Sequence, residues 1–141
     1  MREILFRAFV KDKEKIFDVK TIDFSYKFIT FEEENKPTDT MRMLDQIELM
    51  QYTGLTDKNG TKIFEGDIVN IVYEEYPIEN CVVVFGDYEV FRDDWGYKQS
   101  TCGFALKFDD GSGYTNLTRK NVYEVIGNIY DNPELLGGDN A

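Results

Sequence analysis

Within Gln51–Ile71 two sharp-turn signals interrupt an otherwise apolar and aromatic stretch, QYTGLTDKNGTKIFEGDIVNI. Asn59-Gly60 is a pair whose residues tolerate positive φ, which a two-residue type I′ hairpin requires at both positions. The expectation is a hairpin joining a strand near Gln51–Leu55 to one at Lys62–Phe64. Gly66 permits a bend, and the Asp67 carboxylate can accept a backbone N–H inside it. Ile68, Val69, Ile71 and Val72 then restart a strand. A strand–turn–Gly-Asp–strand order is what a small barrel needs where one strand turns away from its predecessor. Asn59, Gly60, Gly66 and Asp67 are therefore read as structural turn residues.

The rest of the chain agrees with a β-rich fold. It has eleven Phe and nine Tyr among 141 residues, with 42% hydrophobic residues. That is enough apolar mass for a core, and Phe, Tyr, Val and Ile favour strands. ILFRAFV (4–10), KIFDVKTIDF (15–24, with a bulge) and YKFITF (26–31) read as a three-strand meander. In the last, Tyr26, Phe28 and Thr30 share one face, and Lys27, Ile29 and Phe31 the other. EEENKPTDT (32–40) is a loop by composition. Thr38 or Asp39 is expected to cap a short helical turn through Met41, Leu44 and Ile47, leading into a strand. NCVVVFGDYEVF (80–91) reads as two strands around a turn at Gly86-Asp87. CGFALKF (102–108) alternates cleanly, DDGSG (109–113) is a turn, and YTNL continues as a short strand. VYEVIGNIY (122–130) is another strand, bent at Gly127. NPELL places Asn132 at a helix N-cap and Pro133 at N1.

Histidine is absent. This removes Ser-His and Cys-His nucleophiles, His general bases and His-ligated zinc. The three serines, Ser25, Ser100 and Ser112, lie in no GxSxG elbow. Cys81 and Cys102 form no CxxC and indicate no disulfide scaffold. Asp93-Asp94 and Asp109-Asp110 are adjacent carboxylates, which converge only in a turn. DDGSG fails the calcium-loop pattern, because Asn121 falls where a bidentate Glu belongs. GSGYTN lacks the last glycine and the following helix of a dinucleotide loop. No cofactor, metal ligand or catalytic residue is assigned.

The formal net charge is −11. Residues 1–70 hold 14 acids against 11 bases, and residues 71–141 hold 13 against 5. Such a surface repels phosphate backbones, so nucleic acid is a disfavoured partner. Arg2, Arg7, Lys11, Lys13 and Lys15 keep a nucleic-acid-binding small barrel as one alternative. A Mg²⁺-dependent carboxylate hydrolase is a second. The charged start MREILFRAFVKDK does not read as a secretion signal, and no apolar run is long enough to span a membrane. A cytoplasmic location is the expectation. EEYPIEN (74–80) is an acidic loop carrying Tyr76 and Ile78, readable as an interaction loop or as a solvated connection.

MREILFRAF, LMQYTGLTDKNGTKIFEGDIV and YEVIGNIYDNPELL occur in this order at the start, middle and end of the chain. Together they resemble the YopX family of small phage and prophage proteins of Gram-positive bacteria. The resemblance implies an N-terminal α+β lobe (1–50), an SH3-like β-barrel (51–130) and a short C-terminal helical extension (131–141) that serves self-association. It brings no catalytic residue with it. Turn chemistry explains most of the middle block but not Gln51-Tyr52-Thr53. These three, with Tyr76 and Trp95, are the candidate interaction surface. The resulting expectation is a phage-encoded, non-enzymatic module that binds a host or phage protein, or itself as a homo-oligomer.

Overall fold

A computed structural model describes residues 2–91 and 98–137. The fold is mainly β, with twelve strands and two 3₁₀ turns among the described residues. It divides into two compact units, residues 1–52 and 53–141.

In the first unit, β1 (Phe6–Val10) pairs antiparallel with β2 (Lys15–Asp18) on one side. On its other side it pairs with the first half of β6 (Ile47–Thr56). The segment expected as one bulged strand over 15–24 is instead two strands. It breaks at Val19-Lys20, where Val19 N–H donates to Phe6 O at 3.0 Å and Lys20 N–H to Thr30 O at 2.8 Å. The chain thereby leaves one sheet and enters a second, in the order β3 (Thr21–Asp23), β4 (Phe28–Phe31), β5 (Thr40–Met43).

The alternation read in YKFITF matches the burial. Ile29 and Phe31 are fully enclosed, while Tyr26 is 75% exposed. Ala8, Val10, Ile29, Phe31 and Ile47 form the core of this unit, with Phe17 against Phe31 at a ring separation of 4.5 Å. The capped helical turn at Thr38 or Asp39 is not formed. Thr40–Met43 is a strand, and the helical content is a single 3₁₀ turn at Leu44–Gln46. Arg42 supplies the reason. On β5 its guanidinium forms two 2.9 Å bonds to Asp12 and a third, at 2.8 Å, to Met41 O. Met43 N–H donates to Gln46 Oε1 at 2.9 Å. These side-chain bonds occupy backbone groups of an edge strand and blunt it against pairing with another chain.

In the second unit, the end of β6 pairs with β7 (Lys62–Phe64) through the expected hairpin. The turn differs in type. Gly60 has φ 83°, Asn59 keeps negative φ, and Gly60 N–H donates to Asp57 O at 3.0 Å. This is a type I turn closed by a left-handed glycine, the three-residue alternative to I′. After Gly66, β8 (Asp67–Ile71) lies between β12 (Tyr123–Asn128) and β9 (Ile78–Phe91). Strand β10 (Lys98–Lys107) pairs along β9, and β11 (Tyr114–Asn116) follows it.

The turn expected at Gly86-Asp87 is absent. Gly86 lies opposite Gly103 inside a continuous ladder. Facing glycines let the ribbon coil where side chains would resist, and Val90 reaches Tyr114 of β11. The sheet therefore curls, with Tyr88 on Tyr114 at 4.4 Å. Ile63, Val69, Ile71, Cys81, Val83, Leu106 and Tyr123 form the core of this unit. The helix expected at NPELL is one 3₁₀ turn, Pro133–Leu135. Asn132 does not cap it, because its Oδ1 turns back to accept Asn128 N–H at 3.2 Å. No helix among the described residues is long and apolar enough to cross a membrane.

Candidate functional site

Two segments that the sequence marked separately, EEYPIEN and DDGSG, meet in the second unit. Strand β8 ends where Ile71 faces Ile78, and the chain between them forms the exposed connection 72–77. Asn80 takes positive φ (58°), and its N–H donates to Asn70 Oδ1 at 3.0 Å. Pro77–Asn80 lies beside the end of β10. There Phe108 N–H donates to Gly113 O at 3.0 Å and Gly111 N–H to Phe108 O at 3.2 Å, closing the turn into β11.

The space between these segments is a cavity of about 640 Å³, lined by Pro77–Asn80, Lys107–Gly111 and Gly137. Ligand sites commonly fall in this size range. Pro77, Ile78 and Phe108 give it apolar wall. Glu79, Asp109 and Asp110 give it negative charge against one cation among the described residues, Lys107. Ser112 holds the Asp110 carboxyl below its ordinary range through hydrogen bonds, its N–H donating to Oδ1 at 2.8 Å.

Asp109 Oδ2 accepts the Gly137 N–H at 3.2 Å. Its Oδ1 is closed to solvent and accepts no hydrogen bond from a described residue. The charge of these carboxylates reaches the core. Burial, and then Asp109 and Asp110, push the Cys81 thiol up to about 11.

A second cavity, about 540 Å³, lies in the first unit along β2, with Lys20, Glu32 and Glu34. Its main cation is already satisfied. The Lys20 ammonium binds Glu32 at 3.1 Å and Asp39 at 3.2 Å, which raises its pKa.

The residues singled out from the sequence fall in different places. Tyr76 is 79% exposed on the connection that borders the acidic cavity. Tyr52 is only 8% exposed, and its N–H donates to Leu5 O at 2.9 Å, so it is a packed residue rather than an open contact. Thr53 Oγ1 donates to Ile63 O at 2.8 Å and accepts Leu55 N–H at 3.2 Å. Its hydroxyl is used in joining β6 to β7. Gln51 is half-buried opposite Phe6 in the β1–β6 ladder. Trp95 and Asp93-Asp94 lie outside the described residues. Among the described residues no three Cys, Asp or Glu side chains gather as a metal site.

The turn residues have specific tasks. Gly66, at φ 81°, donates its N–H to Val83 O at 2.8 Å, and its O accepts Ile129 N–H at 2.9 Å. Asp67 is buried, and its Oδ2 accepts Phe64 N–H at 2.8 Å. Sequence reasoning passed over Asp57. Its Oδ1 accepts Asn59 N–H and Thr61 N–H at 2.8 and 2.9 Å. An Asp at the first position of a type I turn was the signal available for it.

The family description of the YopX protein matches residues 5–137. The chain belongs to the YopX family. It is also similar to a solved structure, protein EF1440 from Enterococcus faecalis. That likeness has 26% identity and a TM-score of 0.58, covering 97% of this chain and 100% of that one. No curated protein matches it. The YopX match includes the Asp57 turn, Gly66 and both walls of the acidic cavity, but it names no chemistry for them.

Proposed function

We propose that this YopX-family chain is a non-enzymatic protein-binding module, phage- or prophage-encoded and acting in the cytoplasm of a bacterial host. The carrying observation is the meeting of the 74–80 segment, which runs from the exposed connection into β9, with the 107–111 turn around an acidic, partly apolar cavity. Exposed Tyr76 stands at its border, and aromatic residues of this kind are enriched in protein interfaces. The curling of β8–β10 with β11 supports reading the second unit as an SH3-like barrel.

Local pairing of the basic N-terminal residues weighs against nucleic acid. Lys13 binds Glu33 at 2.7 Å, Lys11 binds Glu48 at 3.5 Å, and Lys15 lies over the Phe17 ring. These cations are occupied by groups of the same chain, which leaves them less free to replace counterions on a phosphate backbone.

The test is site-specific photocrosslinking in host cells, with the reactive residue at Tyr76, at Glu79 or at exposed Asp45. Adducts with another protein from Tyr76 and Glu79, and not from Asp45, support the reading. Equal adducts at all three, or none, overturn it.

Self-association is a second reading with its own observation. Phe24 and Tyr26 are 74% and 75% exposed, and Met41 and Met43 are 50% and 39% exposed on the outer face of the β3–β5 sheet. Register places Met43 beside Phe28 on that face. A monomer mass at micromolar concentration, measured by light scattering, would remove it.

A further inference from the structure

The β3–β5 sheet turns one side to the core of its unit and the other to solvent. Ile29 and Phe31 point inward, so Phe28 and Thr30 point outward, and register sets Met43 and Met41 beside them. Phe24 and Tyr26 stand on the turn that joins β3 to β4, at the end of the sheet where Phe28 meets Met43. Phe24, Tyr26, Met41 and Met43 are 74%, 75%, 50% and 39% exposed. At about 200 Å² for a large side chain, these fractions leave roughly 480 Å² of apolar surface on four residues. A standard-size interface takes about 800 Å² from each partner, and a homodimer makes about 65% of it apolar, roughly 520 Å². These four side chains supply most of what such an interface needs.

We propose that two copies of this chain pack the outer face of the β3–β5 sheet against itself about a twofold axis. The contact buries Phe24, Tyr26, Met41 and Met43 of both copies, and it rests on the self-association reading above. Charge favours a second copy over a partner of strong charge. Residues 1–52 hold 11 acids against 9 bases, whereas residues 53–141 hold 16 against 7. In the first unit Lys20 is bound to Glu32 and Asp39, and Arg42 to Asp12. Its charges are thus largely balanced within the chain and steer neither a cationic nor an anionic partner. Two acidic chains meet with least repulsion through the unit that is nearly neutral.

The edges of the sheet direct the contact to its face. Strand β3 has three residues, and Arg42 binds Met41 O on the edge strand β5, so backbone pairing across either edge is disfavoured. A face that meets itself closes at two copies instead of extending into a filament.

The test is sedimentation velocity of the full chain from micromolar to submillimolar concentration, with ¹⁵N NMR spectra over the same dilution. A dimer mass is expected, with amide shifts on dilution confined to residues 23–30 and 40–43. The double variant Phe24→Ser, Tyr26→Ser should weaken association about a hundredfold. Met43→Glu should also give a monomer, because two copies would bury like charges face to face. Tyr76→Ser, in the second unit, should leave the mass unchanged. The altered side chains are exposed in the single chain, so urea midpoints measured at a concentration where the parent is monomeric should match the parent's.

A monomer mass throughout, or a mass above the dimer, overturns the proposal. The proposal and the self-association reading fail separately. A dimer that survives both β3–β5 variants, or dilution shifts at residues 131–137 instead, removes this face and leaves self-association through another surface. A monomer that photocrosslinks a host protein from Met41 removes the second copy and gives the face to a different partner.

Discussion

Asp57 Oδ2 accepts the Val125 backbone N–H at 3.0 Å, across 68 residues of sequence. The same carboxylate closes the β6–β7 turn through Asn59 and Thr61. Lys58 adds a 2.9 Å bond from its N–H to Tyr123 O and a 3.0 Å ion pair to Glu124. The hairpin turn therefore covers the outer edge of β12, the last strand of the curled sheet. Asp57→Ala leaves these three part-buried N–H groups without their acceptor and should lower the unfolding free energy by about 3 kcal/mol. Asp57→Asn keeps one acceptor oxygen and should cost about 1–2 kcal/mol. Urea unfolding of the two variants beside the parent chain checks the order.

Acid should unfold the chain through two carboxylates in particular. Burial acts to raise the Asp57 pKa, but the N–H donors of Val125, Thr61 and Asn59 outweigh it, and the net shift is downward. Glu33 is lowered to about 2 by Lys13 first, then Lys36 and Thr40. A carboxyl whose folded pKa is depressed contributes stability above its unfolded pKa, roughly 4. That contribution is lost as pH falls through the folded value. Stability should thus be flat from pH 7 to about 5 for these groups and decline toward pH 2. Glu33→Gln should be less stable than the parent chain at pH 6, and the gap should close by about pH 2. A gap independent of pH would show that Glu33 acts through packing instead.

The two cysteines should react at very different rates. Cys81 is fully buried and its thiol is pushed up to about 11, so thiolate is scarce at neutral pH. Cys102 is exposed on β10. Iodoacetamide at pH 8 should label Cys102 alone in the folded protein and both residues in urea, as read by peptide mass spectrometry. Labelling of Cys81 in native buffer would mean that β9 opens on the labelling timescale.

Much of this architecture was legible because it rests on local chemistry. The alternation of Tyr26–Phe31 set which side of β4 is enclosed, and Asn59-Gly60 and Gly66-Asp67 marked true turns. Misreadings arose where distant partners decide. Gly86-Asp87 looks like a turn until Gly103 is placed opposite it, and nothing local announces that pairing. Val19-Lys20 looks like a bulge because its hydrogen bonds go to Phe6 and Thr30, in two different sheets. Thr40–Met43 has helix-forming residues but is held extended by β4 and by the Arg42–Asp12 pair. At the candidate site, the acidic character of both segments was readable. Their convergence was not, since Pro77–Asn80 and Lys107–Gly111 come together only once β8, β9 and β10 are in register. Gln51-Tyr52-Thr53 stood out because no turn required them, and burial of Tyr52 together with the Thr53 hydroxyl bonds gives two of the three a structural reason.

Gly66 and Gly60 both occupy the left-handed region, at φ 81° and 83°, yet they should differ in tolerance. An L side chain there costs about 1–2 kcal/mol from the clash of Cβ with the carbonyl. At Gly60 the turn is at the tip of a hairpin, with open space where a Cβ would be added, so Gly60→Ala should cost about that much. Gly66 has less freedom to relax. Its N–H is bound to Val83 and its O to Ile129, so a shift toward negative φ breaks bonds to β9 and to the segment after β12 at once. Gly66→Ala should therefore cost about 2–4 kcal/mol, strain and lost hydrogen bonds together. Gly66→Asn should recover part of this, because Asn tolerates the left-handed region better than Ala. Equilibrium urea unfolding of the three variants should rank Gly66→Ala below Gly66→Asn, with Gly60→Ala the mildest. Equal losses at Gly60 and Gly66 would mean that the bonds to Val83 and Ile129 re-form around the changed turn.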